Sequence, residues 1–258
     1  MSRRGWTLLQ VQGDNLVVAR NKQSDEYFLL IYGTDYRAAI KAFFELAEAP
    51  PLVPRWSLGV WYSRFQPYKP KDYHDTTKGF RSRGIGLDAL VLDMNWHSDS
   101  WFGLEYNKER FGNMQDFFDW AKENDLNLIF NHHPGAVEKA DPRTPALLKR
   151  LGLNEETATT YKTDNNFFQT DKFPVWKIDY KDPKVFPHYY DLMLKPLQDD
   201  GVKIHWIDGG PGIPTMKLYY DRTQKYAGDK RVAILTRQHW GEVCSTIDTP
   251  LRFLETFS

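Results

Sequence analysis

The chain has 258 residues, 41% hydrophobic and 15% aromatic, with nine Trp, fourteen Tyr and sixteen Phe. That supplies a sizeable core and excludes an intrinsically disordered chain. Lys and Arg number 34 against 34 Asp and Glu, so neither nucleic acid nor an anionic membrane surface is expected as the main partner, since both want a basic excess. No run of eighteen apolar residues is present to span a membrane. Arg3 and Arg4 are not followed by the apolar stretch of a signal peptide. The single cysteine, Cys244, forms no internal disulfide, and no Asn-x-Ser/Thr sequon occurs. Together these features favour a cytoplasmic protein.

In chain order, Leu8–Val11, Leu16–Ala19 and Tyr27–Ile31 are short apolar runs separated by Gly/Asp/Asn-rich turns, and read as strands. Asp35 opens a helix over Tyr36–Ala49, which Pro50, Pro51 and Pro54 stop. Residues 1–50 therefore read as one region and 51–258 as another. In the second region the strands Ser57–Tyr62, Asp88–Asp93, Leu126–Asn131, Val202–Ile207 and Arg231–Thr236 alternate with helices over Tyr73–Arg83, Asn113–Asn124, Pro187–Asp200 and Thr215–Ala227. A polar insertion at about 135–184 interrupts the rhythm. Continuous apolar strands alternating with helices indicate an α/β fold with a parallel sheet buried on both faces.

Five such strands fit either an open doubly wound sheet or most of a (β/α)8 barrel. No Gly-rich phosphate loop follows the first strand, which weakens a dinucleotide reading. Every strand instead ends in polar or aromatic residues, the position of barrel active sites. These ends carry Trp61, Asp93, Trp96, His133, Trp206, Asp208 and Arg237, which the barrel reading gathers on one concave rim.

Asp208 is the sharpest chemical candidate. It ends an apolar strand and precedes Gly209-Gly210, which leaves room for a ligand. A carboxylate there suits nucleophilic attack on an anomeric carbon, against the plainer role of capping the next loop. Asp93 ends a similar strand and suits binding of sugar hydroxyls, with the same capping alternative. Trp96, Trp101, Trp206 and Trp240 fall near strand ends, where indoles stack on sugar faces as readily as they pack a core. Arg237 suits a carboxylate or hydroxyl contact or a surface cation. His97, His132, His133, His205 and His239 raise a metal alternative, but no His-Glu-x-x-His is present, and adjacent His132 and His133 point to opposite sides of a strand.

These pieces together resemble glycoside hydrolase family 31, the α-glucosidase group of retaining enzymes. The resemblance runs over roughly residues 30–240. It rests on Tyr32-Gly33-Thr34-Asp35-Tyr36-Arg37, Pro50-Pro51-Leu52-Val53-Pro54-Arg55-Trp56-Ser57, Leu92-Asp93-Met94-Asn95-Trp96-His97, Asn131-His132-His133-Pro134, Trp206-Ile207-Asp208-Gly209-Gly210 and Thr236-Arg237, in that order. It implies an incomplete (β/α)8 barrel preceded by the last strands of a β-sandwich. It also implies Asp208 as nucleophile, Asp93, Trp96, His133, Trp206 and Arg237 around the sugar, and no metal or organic cofactor. Two departures stand out. Asn95 replaces the usual Asp of Asp-Met-Asp-Trp-His. Beyond Arg237 the family's general acid has only Asp248 as a counterpart, at short spacing and with no preceding Gly.

The sequence thus predicts a retaining α-glycoside hydrolase acting on α-linked sugars, slow or inactive as this chain alone. One rival is a non-catalytic carbohydrate-binding relative or truncated product. The other is a metal-dependent barrel hydrolase. Five strands leave two open edges, so a second copy or a further C-terminal segment is expected to close the barrel.

Overall fold

The computed structural model describes residues 10–12, 15–17, 31–47, 50–97, 100–162, 170–209 and 212–237. They belong to two compact units, one ending at Pro50 and one beginning at Pro51. In the first, β1 (Gln10–Gln12) and β2 (Asn15–Val17) form an antiparallel pair. The strand expected over Tyr27–Ile31 lies outside the described residues apart from Ile31, which is irregular. Helix α1 (Tyr36–Ala47) follows. Its N-terminus is capped by Asp35, whose Oδ1 accepts the Ala38 N–H at 3.0 Å.

The second unit departs first from expectation at residues 57–60. Pro54 initiates a 3₁₀ turn over Arg55–Leu58, and its carbonyl accepts both the N–H and the Oγ–H of Ser57. Only β3 (Trp61–Tyr62) remains extended. Helix α2 (Pro70–Ser82) begins with proline at its first position, where the missing N–H costs nothing, and Asp72 accepts from the Lys69 N–H at 2.8 Å. Strand β4 (Ala89–Leu92) is buried throughout. After a short α3 (Lys108–Phe111), α4 (Met114–Glu123) buries Met114, Phe117, Phe118 and Ala121, the spacing of one helical face. It leads into β5 (Asn127–His132).

The insertion holds β6 (Ala136–Glu138), α5 (Thr144–Arg150), β7 (Thr160–Tyr161) and β8 (Val175–Lys177). Its strands make an antiparallel sheet in the order β6-β8-β7. The helix expected over Pro187–Asp200 is divided into α6 (Phe186–Tyr189), a π-helical turn Tyr190–Leu194, and α7 (Lys195–Asp200). Pro196 has no N–H to return to the preceding turn, and widening that turn accommodates it. Strand β9 (Val202–Ile207), α8 (Ile213–Ala227) and β10 (Leu235–Thr236) complete the unit. The apolar run from Arg231 is extended strand only at its last two residues.

Strands β3, β4, β5, β9 and β10 form one parallel sheet in chain order. A doubly wound sheet reverses direction at a switch point. Unreversed order is that of a barrel, and the five strands are a curled part of a (β/α)8 barrel. The two faces carry different cores. Ala89, Val91, Ile129, Ile204, Ala233 and Leu235 pack on the inner face, with Val53, Trp56, Trp61 and Trp206 partly buried against them. Leu90, Leu92, Leu128, Phe130 and Ile207 pack outward with Phe117, Phe118, Tyr190 and Tyr219 of the helical layer. Among the described residues no helix is long and apolar enough to cross a membrane.

Candidate active site

Strand alternation decides which side chains reach the barrel interior. On β4 the inward residues Ala89 and Val91 lead to Asp93. On β5 Ile129 leads to Asn131 and His133. On β10 Ala233 and Leu235 lead to Arg237. Strand β9 reaches the same phase through a bulge. Leu128 pairs with Val202 but Ile129 pairs with Ile204, so Lys203 is an extra residue opposite no partner. Val202 packs outward, while Ile204 and Trp206 pack inward. An unbroken alternation from Val202 would turn Asp208 toward the helices. The bulge re-aims it to the interior.

Asp93 and Asp208 are each 5% exposed, at the C-terminal ends of β4 and β9. Arg237 Nε donates to Asp208 Oδ1 at 2.8 Å, with the Arg237 side chain 62% exposed. His133 Nε2 lies 3.6 Å from Asp208 Oδ2. The Asp208 N–H donates to the His132 carbonyl, which ties the end of β9 to β5. Gly209 N–H donates back to Asp208 Oδ1 at 2.9 Å. Gly209 has φ +109°, which disfavours any other residue there, and among the described residues a Cβ would meet nothing within 4 Å. Among those residues the Gly209 side of Asp208 is therefore open. Across the sheet, Asn131 Nδ2 donates to Asp93 Oδ1 at 2.8 Å, and Trp96 Nε1 donates to the Asn131 carbonyl at 2.8 Å. Trp101 meets His133 edge-on at 5.1 Å and stacks on Phe65 at 6.1 Å and 11°.

Burial pushes the Asp93 carboxyl up to about 6, with the Asp208 charge adding to it, while the Asn131 amide and Arg237 act the other way. Burial likewise holds His133 below the ordinary histidine range, and the Asp208 carboxylate only partly offsets this. At neutral pH His133 is therefore a neutral imidazole beside Asp208. The group can hold a polyhydroxylated ligand between acceptors and a cation. It also presents one carboxylate, flanked by open space, to an electrophilic carbon.

Asp93, His133, Asp208 and Arg237 are thus at one end of one sheet face. Trp61 and Trp206 are half-buried in the inner cluster deeper along the same face. Trp96, expected beside the ligand, is 0% exposed and packs outward against Phe130, Tyr106 and His97. It offers no surface to a sugar, because the chain turns outward directly after Asp93. Asn95, where an Asp was expected, has φ +59°, a left-handed conformation that Asn tolerates well. Asp248 and Trp240 lie outside the described residues. Asn131, Trp101 and Phe65 received no assigned partner from sequence. The period-two rule points to Asn131, two residues before His133, whereas Phe65 and Trp101 meet only through the fold.

The histidines divide between the two faces. His132 and His205 are each 1% exposed on the helix side, with rings 5.6 Å apart, and His132 Nε2 is 3.3 Å from the Tyr219 hydroxyl. Among the described residues no group of three or more His, Cys, Asp or Glu is arranged to hold a metal ion.

Residues 50–231 match the family model described as the Glycosyl hydrolases family 31 TIM-barrel domain. An alpha-xylosidase of Saccharolobus solfataricus is 33% identical over 231 residues, which is 84% of this chain and 31% of that protein. An alpha-xylosidase of Emericella nidulans is 27% identical over 203 residues, 76% of this chain and 24% of its own length. The chain therefore spans about a third or less of these curated relatives. Among solved structures, the GH31 alpha-xylosidase of Xanthomonas citri superimposes with a TM-score of 0.62 at 17% identity, over 85% of this chain and 27% of that one. A GH31 dextranase of Flavobacterium johnsoniae gives 0.61 at 18% identity, over 81% and 29%. With the barrel topology and a family model spanning most of the sequence in agreement, this chain belongs to glycosyl hydrolase family 31.

Proposed function

We propose that this chain is part of the catalytic region of a retaining α-glycoside hydrolase, with Asp208 as the nucleophile. The observation that carries the reading is the Asp208 carboxylate itself. It is buried at the end of an inner barrel strand, held by Arg237 at 2.8 Å, and open on the Gly209 side. In the proposed reaction one Asp208 oxygen attacks the anomeric carbon. The glycosidic C–O bond breaks, and the departing oxygen takes a proton from a general acid. A covalent glycosyl-enzyme remains, and water deprotonated by the same acid residue then displaces Asp208. Two carboxyl groups about 5–5.5 Å apart suit this geometry. Asp248 is the candidate for the second.

Asp93 accepts sugar hydroxyls in this reading, and Arg237 orients both Asp208 and the sugar. His133 lines the subsite as a neutral group, and Trp206 closes it from below. The substrate class is an α-linked sugar. Two of the relatives described above are alpha-xylosidases, which favours α-xylosides over α-glucosides. No metal or organic cofactor enters the scheme. Residues 1–50 are taken as the end of a preceding β-sandwich, supported by the antiparallel β1–β2 pair.

The test is a mechanism-based covalent glycosidase label, offered as α-xylosyl and α-glucosyl forms and mapped by peptide mass. Modification of Asp208, absent in Asp208→Ala, is expected. Label on Asp93 would refute the assignment of Asp208, and no label on a folded chain that still binds sugar would favour a carbohydrate-binding relative.

A further inference from the structure

We infer that Asn131 is a positioning residue for the sugar-binding carboxylate: its side-chain amide aims Asp93 into the barrel beside Asp208, and Trp96, hydrogen bonded to the Asn131 carbonyl from behind, fixes where that amide sits. The inference rests on the proposed role of Asp93 and adds residues that role does not include.

Three features of the structure support it. Asn131 is 2% exposed, on the inner face of β5, between the ends of β4 and β9. Its Nδ2 donates to Asp93 Oδ1 at 2.8 Å, while its own side-chain oxygen makes no hydrogen bond among the described residues. Among the described residues the amide's one partner is therefore Asp93, and that contact sets which way the amide is turned. Trp96 is fully buried, and its indole N–H reaches the Asn131 carbonyl at 2.8 Å. Trp96 lies three residues beyond Asp93, so the outward-turning chain closes a loop on β5. Asp93, Trp96 and Asn131 are thereby held as one unit.

The chemical consequence follows from the groups around Asp93. These are Asp208 on β9, Arg237 beyond β10, and Tyr73 of α2, whose hydroxyl donates to the Val91 carbonyl. His133 lies beside Asp208 on the same face. Burial and Asp208 favour a protonated Asp93, and Arg237 and the Asn131 amide favour the carboxylate. A protonated Asp93 has lost acceptor capacity for sugar hydroxyls. Removing the Asn131 donor should therefore shift sugar binding to higher pH, rather than weaken it equally at every pH.

The experiment has two arms on the full chain. In the first, the Asp93 side-chain carboxyl is titrated by carbon-13 NMR, assigned by difference from Asp93→Asn. The Asn131→Leu variant is expected to move its midpoint up by about one pH unit. Trp96→Phe, which keeps the ring and removes the N–H, is expected to move it in the same direction by less. Asn131→Ala serves as a second variant if the leucine disturbs folding, which near-ultraviolet circular dichroism reports. In the second arm, xylose affinity is measured from pH 5.5 to 8.5. A one-unit shift from about 6 makes Asn131→Leu about fivefold weaker at pH 6 and equal to the parent at pH 8.5. An unmoved or lowered midpoint, or a loss of affinity equal at every pH, would overturn the inference. A parent chain that binds no sugar at any pH would count against the proposed function, while the NMR arm still decides the role of Asn131.

Discussion

His132 and His133 are adjacent in the chain but belong to opposite faces of the sheet, and the two faces have opposite roles. On the inner face of β5 and β9, His133 lies 3.6 Å from Asp208 in a polar group opened by Gly209 and completed by Arg237. On the outer face His132 and His205 pack with Tyr190 and Tyr219, and burial holds both well below the ordinary histidine range. Both environments bury ionisable groups. The inner one supplies charged partners for them, and the outer one holds its histidines neutral in an aromatic layer. Residue type does not separate the two groups, since histidine occurs in each. Strand phase separates them, and on β9 that phase depends on one bulged residue.

The most severe way to break the contrast is to insert one residue between Ile204 and His205. The added residue shifts the phase of the strand, so Trp206 and Asp208 would exchange faces with His205 and Ile207, and a carboxylate would be forced into the aromatic layer. Burying an unpaired charge costs several kcal/mol, so the insertion is expected to abolish covalent labelling and cooperative folding alike. Lys203→Ala, at the exposed bulge position, should change stability by less than about 0.5 kcal/mol. Wild-type labelling of Asp208 in the insertion variant would show that strand phase does not set its direction.

Next in size is Asp208→Asn, which keeps the shape and removes the nucleophile. Turnover of a nitrophenyl α-glycoside, if measurable in the parent, is expected to fall by about 10³-fold or more while the fold survives. A variant that retains activity would move the nucleophile elsewhere.

The outer face is tested by pH. Burial lowers His205 to about 4 and His132 well below its ordinary value. Each favours the neutral form when folded, so the unfolded chain binds protons first on acidification. The associated stability is present above about pH 6.5 and is lost as pH falls toward 4. His205 alone should account for on the order of 3 kcal/mol across that window. Urea unfolding at pH 7 and pH 4.5 checks this. His205→Phe should flatten the difference, and an unchanged slope would mean that His205 is not neutral and buried.

Asp93 has the opposite sign. Its folded-state value is raised to about 6, so its stability contribution is present below about pH 4 and is lost as pH rises through 6. Asp93→Asn is expected to stabilise the chain by about 1–2 kcal/mol at pH 7 while removing sugar affinity, a cost of stability borne for function. Thermal melts at pH 7 and pH 4 decide it, because the gain should vanish at the lower pH. Smallest is Asn95→Ala, which forces alanine to φ +59° and should cost about 1 kcal/mol in the same melts.

Much of this contrast could be read from residues alone. The apolar runs of β4, β5 and β9 and the helix periodicity of α4 depend on local patterning, so they were found nearly to the residue. The opposite directions of His132 and His133 follow from the period of a strand. The short ends of the sheet were not legible. Pro54 turns Arg55–Leu58 into 3₁₀ structure, and β10 is extended only over two residues, although both segments are apolar enough for longer strands. Hydrophobicity marks burial, and a buried turn has the same composition as a buried strand. Trp96 was misplaced for a related reason. An indole near a strand end suits a sugar platform or a core, and only the outward turn after Asp93 chose the core.

The sequence by itself determined that strands and helices alternate, that polar residues collect at the strand ends, and that Asp93 and Asp208 end similar apolar strands, with a Gly-Gly pair after Asp208 alone. It also carried enough ordered motifs to resemble one family. The tertiary structure decided what pairing and register decide. It placed the bulge at Lys203 that turns Asp208 inward, joined Asn131 to Asp93 across 38 positions of chain, and brought Phe65 and Trp101 together beside His133. The physical reason is range. Propensity and periodicity act over a few residues and are written locally, whereas a strand's phase relative to its neighbour depends on hydrogen bonds formed with a segment some seventy residues away, which no local pattern encodes.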